Sequence, residues 1–210
     1  MIRRAVLFPH SRSVRCTQRL VVGLVEAFRR LGGRVTSGEV VGFEHGAQGG
    51  VAALRLGDGR RLATDQTILC AGAYTARLSR LLHEPIPLET ERGYSTQIMA
   101  PGMGLRHSII WPARAFMVTP TSGGLRVGGT VEMAGLDAPP DYRRARVLVK
   151  RAQTALPRLR ADDATEWMGH RPALPDTVPV IGPSARHRGL FYATGHGHLG
   201  VTYEIGRAHV

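Results

Sequence analysis

An apolar strand that runs straight into a glycine-rich turn, Gly189-Leu-Phe-Tyr-Ala-Thr-Gly-His-Gly-His-Leu-Gly-Val-Thr202, constrains the fold of this chain more than any other segment. The apolar and aromatic run at 190–193 suits a buried strand. Glycines at 195, 197 and 200 let the backbone turn sharply and let another group approach it closely. A strand-to-helix turn of this kind presents backbone N–H groups to an electron-rich ligand. Just upstream, Trp167-Met-Gly-His-Arg-Pro-Ala-Leu-Pro-Asp-Thr-Val-Pro-Val-Ile-Gly182 holds Arg171 in a stiff Gly/Pro frame. A planar, permanently charged guanidinium can grip a carboxylate through two parallel hydrogen bonds, which lysine cannot imitate. By spacing alone, Arg171 is also open to reading as an exposed arginine in a Pro-rich loop. The Gly-His-Gly-His run is likewise open to reading as an ordinary turn or a weak metal tract, and the sequence places no third metal ligand nearby.

The 210 residues suffice for one domain or two small ones. With 43% hydrophobic and 21% charged residues the chain is globular rather than disordered. The net charge of +12 raises nucleic acid as a partner. Against that, the basic residues are scattered arginines, densest at Arg143, Arg144 and Arg146, with Lys150 the only lysine. No nucleic-acid partner is expected. No apolar run approaches the roughly 20 residues of a membrane span, so no transmembrane segment is expected. Cys16 and Cys70 have no metal spacing, Cys70 is expected as a buried thiol closing a strand, and a reduced, cytoplasmic setting follows.

Val6–Phe8 reads as a strand end, and Thr17 as the N-cap of a helix in which Leu20, Leu24, Ala27, Phe28 and Leu31 repeat at helical spacing. Val40–Phe43 and Val51–Leu56 read as paired strands, and Asp58-Gly59 as a hairpin turn into Arg61–Ala63. Thr67–Cys70 is an apolar strand entering Ala71-Gly72-Ala73, followed by a helix over Thr75–Leu82. Tyr94–Met99, Ser108–Trp111, Phe116–Pro120, Leu125–Gly128 and Thr130–Met133 form a run of strands. Asp141 caps a helix reaching about Leu156, and Leu190–Ala193 is the last strand. The pattern is an α/β layer from residues 10–90 and 165–203 enclosing a β-rich insert.

Several segments together resemble the FAD-dependent amine-oxidising family of D-amino-acid oxidase, glycine oxidase, sarcosine oxidase and the small subunit of bacterial D-amino-acid dehydrogenase. They are Leu7-Phe-Pro-His10, the helix over Arg19–Leu31, Ile68-Leu-Cys-Ala-Gly-Ala-Tyr74, Glu91-Arg-Gly-Tyr-Ser95, Leu125-Arg-Val-Gly-Gly-Thr-Val-Glu-Met133 and the two C-terminal motifs. Arg-Gly-Tyr-Ser and Arg-Val-Gly-Gly are most similar to the dehydrogenase branch. The family's G-x-G-x-x-G fingerprint after a first strand is absent, so the chain is read as a C-terminal fragment that alone binds FAD poorly. Residues 204–210 depart from the family pattern and are read as a non-family tail.

The resemblance implies an α/β (α+β) fold: an incomplete FAD-binding α/β layer, residues 10–92 with 165–203, and an inserted, mainly antiparallel β-sheet substrate domain, residues 93–164. It implies FAD as cofactor, a D-amino acid as substrate, and oxidative deamination to a 2-oxo acid and ammonia, with a glycine- or sarcosine-oxidase-like activity or a non-catalytic basic fragment as alternatives. A respiratory electron acceptor and peripheral association with the inner membrane are implied by the dehydrogenase branch alone. Arg171 becomes the substrate-carboxylate anchor. Gly195, His196, Gly197, His198, Leu199, Gly200 and Thr202 become the turn along the flavin, whose fixed donors stabilise negative charge. Ala71 and Gly72 match the small-residue crossing near the ADP part of FAD, with a helix-start turn as the alternative. Tyr94 is a candidate pocket wall, with a buried strand tyrosine as its alternative. No metal is expected.

Overall fold

The structure, a computed structural model, describes residues 5–10, 13–47 and 49–202. Helix α1 (Thr17–Arg30) precedes strands β1 (Val40–His45), β2 (Val51–Leu56), β3 (Arg61–Ala63) and β4 (Thr67–Leu69). A 3₁₀ turn (Gly72–Tyr74) leads into α2 (Thr75–Leu81). Strands β5 (Glu89–Ile98), β6 (Ile109–Trp111), β7 (Phe116–Thr121), β8 (Gly124–Gly128) and β9 (Glu132–Met133) follow, then α3 (Arg143–Ala155). The chain continues through β10 (Ala164–Ala173), β11 (Val180–Pro183) and β12 (Leu190–Thr194). No helix among the described residues is long and apolar enough to cross a membrane.

Contacts divide the chain into two compact units. One takes the chain up to Thr36, Gly93–Val131 and Pro139–Gly169; the other takes Ser37–Arg92, Glu132–Ala138 and the chain from His170. Against the expected division, residues 10–36 and 165–169 group with the β-rich insert, and residues 132–138 group with the α/β layer. For the N-terminal stretch the physical link is visible: Ser122 N donates to the carbonyl of Arg15 at 3.1 Å.

In the first unit, a sheet runs in the order β10-β5-β8-β7-β6, with β5, β8, β7 and β6 successively antiparallel. Side chains on a strand alternate between faces. Ile98, Phe116, Val118, Leu125 and Val127 therefore meet Leu148 and Ala152 of α3 in one core, while Ser95, Gln97 and Arg126 take the opposite parity. Ahead of α3, Asp141 Oδ1 accepts from Arg143 N at 3.1 Å, but the N-cap position falls on Tyr142, one residue after the expected Asp141. In α1 the cap is Cys16, whose Sγ accepts from Arg19 N at 3.4 Å, not Thr17. The expected apolar stripe does form on α1, but Leu20, Leu24, Phe28 and Leu31 stay exposed. Val6–Phe8 forms no strand: the segment pairs with no other strand and its three side chains are exposed.

The second unit holds an antiparallel sheet β1-β2-β3 and a sheet β11-β12-β4 in which β12 and β4 are parallel. Val51, Leu69, Leu82, Leu190 and Tyr192 form its core. Cys70, expected to be buried, is exposed. Thr67 and Leu69 point inward on β4, so Ile68 and Cys70 share the outer parity. The Gly/Pro frame, for which a Pro-rich loop was one reading, is strand as far as Ala173 and again from Val180, with a turn and loop over residues 174–179. Pro172 is tolerated because β10 lies at the edge of its sheet.

Glu84 ties this unit together. Its carboxylate accepts from Ser184 Oγ at 2.5 Å, Ala185 N at 2.9 Å and Tyr192 Oη at 2.9 Å. Burial alone would push the Glu84 carboxyl up, but these three donors hold it below its ordinary value of 4.5. The same contact pushes the Tyr192 phenol up, burial first and the neighbouring carboxylate second. A group with a depressed folded pKa stabilises fully above its unfolded value and less as pH falls through the folded one. Glu84→Ala is expected to destabilise the fold by about 2–4 kcal/mol, since several hydrogen bonds to one charge are lost. Urea titrations should show the deficit in full at pH 7 and shrinking below pH 4.5.

Candidate functional site

The site lies in the second unit, at the carboxyl ends of two parallel strands. Both β4 and β12 run into small-residue turns there, and ligands of open α/β sheets bind beyond such strand ends. Thr194 closes β12, is 1% exposed, and donates from Oγ1 to the carbonyl of Gly72 at 3.2 Å. This hydrogen bond sets Ala71-Gly72 beside the start of the glycine-rich turn, although they are far apart in sequence. Gly72 (φ +56) and Gly197 (φ +51) each face open space, since a Cβ on either would meet no atom within 4 Å. Two bare backbone faces at one strand end can admit a flat ligand.

The turn is fixed from three sides. Gly195 (φ +82) is buried against Leu174, leaving no room for a side chain. Gly197 N donates to the carbonyl of Pro172 at 2.8 Å. His198 Nε2 lies 2.7 Å from Glu91 Oε2. Two N–H groups, those of Gly197 and Leu199, are engaged within the protein, the latter by the carbonyl of His196 at 2.9 Å. The row of outward donors is therefore shorter than the sequence suggested. Residues 200–202 are helical, so Gly200 and Thr202 stand at the start of a helical turn; Leu199 and Thr202 are exposed.

Arg171 sits half-buried on β10, the residue before Pro172, so the Gly197–Pro172 bond brings the glycine-rich turn against the strand that carries the guanidinium. On its other side, His170 Nδ1 is 2.9 Å from Thr90 Oγ1, and the His170 ring meets Tyr74 edge-on at 6.2 Å. Burial, then the Arg92 guanidinium, draws His170 below its ordinary 6.5 against an opposing pull from Asp137. His170 is thus neutral at pH 7, leaving the local positive charge to the arginines. Arg92 itself is 1% exposed, paired with Glu132 at 3.4 Å and bonded to the carbonyl of Ala138.

The structure thus brings together Arg171, Ala71-Gly72 and the 195–200 turn. Tyr94 stands on β5. It lies in the first unit, 1% exposed, its hydroxyl accepts from Asp141 N at 2.9 Å, and its ring packs edge-on to Tyr142 at 6.0 Å. It is the buried strand tyrosine of the two alternatives. Thr90, Glu91, His170 and Thr194 were missed as supports of the site. Glu91 and His170 lay inside the motifs, but nothing local marks a residue for a partner some hundred positions away. Residues 204–210 lie outside the described residues.

A mixed α/β frame, glycine-faced openings at parallel strand ends and an adjacent strand arginine define a flavoenzyme-type fold. The chain belongs to the FAD dependent oxidoreductase (DAO) family, whose model matches residues 1–209. It is 41% identical over 144 residues to a D-amino-acid oxidase of Bradyrhizobium diazoefficiens, covering 67% of this chain and 34% of that protein. It is 33% identical over 152 residues to D-amino acid dehydrogenase 3 of Mesorhizobium japonicum, covering 70% and 37%. Among solved structures, iminodiacetate oxidase from Chelativorans sp. BNC1 matches with a TM-score of 0.73 at 22% identity, covering 87% of this chain and 50% of that one. Glycine oxidase from Geobacillus kaustophilus matches with a TM-score of 0.72 at 23% identity, covering 87% and 49%. The chain spans about a third of the length of these two curated relatives. At this identity the two structures speak for the fold alone.

Proposed function

We propose that this chain supplies the substrate-gripping and flavin-facing part of an enzyme that deaminates D-amino acids oxidatively, giving a 2-oxo acid and ammonia. The observation that carries this reading is the Gly197 N–Pro172 O hydrogen bond, which holds the glycine-rich turn next to the Arg171 strand. When bound, FAD would supply the acceptor for the α-hydrogen, taken as a hydride together with its two electrons. The residues fit that group: Ala71-Gly72 and the 195–200 turn offer open backbone faces, and the helical turn at 200–202 adds its positive end. Arg171 takes the α-carboxylate in a two-bond fork and so fixes the α-carbon in place. His170 is held neutral, so it adds no second cation to compete for the carboxylate. The imino acid product then loses ammonia to water.

Electron transfer to an acceptor chain rather than to oxygen is favoured by the lysine content. Lys150, the only lysine, is exposed on α3 in the first unit, so no lysine is available in the second unit to assist oxygen chemistry. The test is dye reduction with excess FAD by the chain joined to a dinucleotide-binding segment, using D-alanine, L-alanine, glycine and sarcosine, with peroxide measured in parallel. D-alanine is expected to reduce the dye, L-alanine is not, and peroxide should lag behind. Peroxide formed as fast as dye is reduced would make the enzyme an oxidase. Preference for glycine or sarcosine would move it to that branch, and no turnover with any amine would end the proposal.

A further inference from the structure

We infer that the first unit carries a separate binding site for a small monocarboxylate with a short apolar tail, built on Arg126. The site is a cavity of about 580 Å³ on the sheet face opposite the α3 core, a size that suits a small-molecule ligand. Strand parity creates it. Leu125 and Val127 point into the core at 2% and 0% exposure, so Arg126 between them points the other way. Gln97 lies directly opposite Arg126 in the β5–β8 register, and Ser95 shares that face two residues away. Trp167 of β10 closes the side, and Val21 and Val22 of α1 form the facing wall.

The charge balance at this spot identifies the ligand class. Arg126 is half-buried, yet its partners are neutral: Nε donates to Ser95 Oγ at 3.1 Å, and the guanidinium carbon lies 5.2 Å from the Trp167 ring centre. Its two terminal nitrogens donate to no described residue, and no acidic side chain lines the cavity. Other arginines of this protein reach carboxylates, as in the Arg60–Asp58, Arg77–Asp137, Arg143–Asp141 and Arg92–Glu132 pairs. Burial without a counter-charge draws the Arg126 guanidinium below its ordinary value, but arginine keeps its proton. The result is a fixed cation whose outer edge still offers a two-donor fork.

Stacking on Trp167 holds the plane of that fork, and the Ser95 bond fixes its rotation. Gln97 is itself anchored, donating to Thr121 Oγ1 at 3.0 Å and to the carbonyl of Gly123 at 2.7 Å, so the floor is rigid. A planar carboxylate matches the fork geometrically. Arg126 is the one cationic residue among those lining the cavity, which suits a single negative charge rather than a phosphate dianion, and the valines suit a short branched tail. The first turn of α1 carries no acidic residue, so its positive end adds to the attraction.

The test uses the 210-residue chain without FAD, so it fails or succeeds independently of the flavoenzyme reading. Isovalerate is titrated calorimetrically against the chain and against Arg126→Gln, with isovaleramide as a neutral probe of the same shape. The expected result is saturable isovalerate binding, weakened about tenfold to a hundredfold for the amide and for Arg126→Gln, the range one charge-assisted hydrogen-bond pair supports. Circular dichroism checks that the variant folds; should it not, the acid-against-amide comparison on the unchanged chain decides. Absence of saturable isovalerate binding, equal binding of the amide, or undiminished binding to folded Arg126→Gln would each overturn the site.

Discussion

Arg171→Lys, assayed with excess FAD in the chain joined to a dinucleotide-binding segment, is expected to raise the KM for D-alanine about tenfold to a hundredfold while leaving the flavin content unchanged. The reasoning is geometric. A guanidinium meets both carboxylate oxygens in one plane, whereas an ammonium offers a rotating point charge and keeps its hydration more tightly. Charge is conserved in the substitution, so a loss reports the fork and not the field. Arg171 sits on an edge strand between two held neighbours: the His170 side chain bonds to Thr90 Oγ1, and the Pro172 carbonyl accepts from Gly197 N. The substitution should therefore disturb neither β10 nor the turn. A parallel fall in bound flavin would mean that the side chain supports the turn rather than the substrate. An unchanged KM would remove Arg171 from substrate binding altogether.

The second large effect is structural. Gly195→Ala is expected to destabilise the second unit by about 2–4 kcal/mol, combining left-handed backbone strain with overpacking. At φ +82 the backbone there disfavours any L side chain, and a Cβ would lie 2.4 Å from Leu174 Cδ1. Leu174 is 7% exposed and packs with Ala76 and Leu88, so it cannot swing away freely. Denaturant titration of the single variants and of Gly195→Ala with Leu174→Ala gives a direct check. The two costs should sum to less than their separate values, because truncating Leu174 frees the space the new methyl needs. Full additivity would mean that the strain is in the backbone alone.

The helices and hairpins were legible because their causes are local. Leu20, Leu24 and Phe28 repeat at helical spacing whatever the rest of the chain does, and Asp58-Gly59 reverses the chain within its own hydrogen-bond reach. Strand β10 was not legible, since Pro172 and the glycine before His170 read locally as loop residues; only a place at the sheet edge accommodates that proline. Cys70 shows the same limit in one residue. Composition favours burying a thiol at the end of an apolar strand, but parity along β4 turns it outward with Ile68.

The sequence by itself determined that an arginine in a stiff frame and a glycine-rich turn exist, because both are properties of a few consecutive residues. Only the tertiary structure decided that they are neighbours, that Tyr94 is buried, and that Arg126 faces a cavity without a carboxylate. The joining bonds, Thr194 to Gly72 and His198 to Glu91, connect residues 122 and 107 positions apart. Closing loops of that length requires the hydrophobic cores to form around them, and no local pattern encodes which distant partner a given donor will meet.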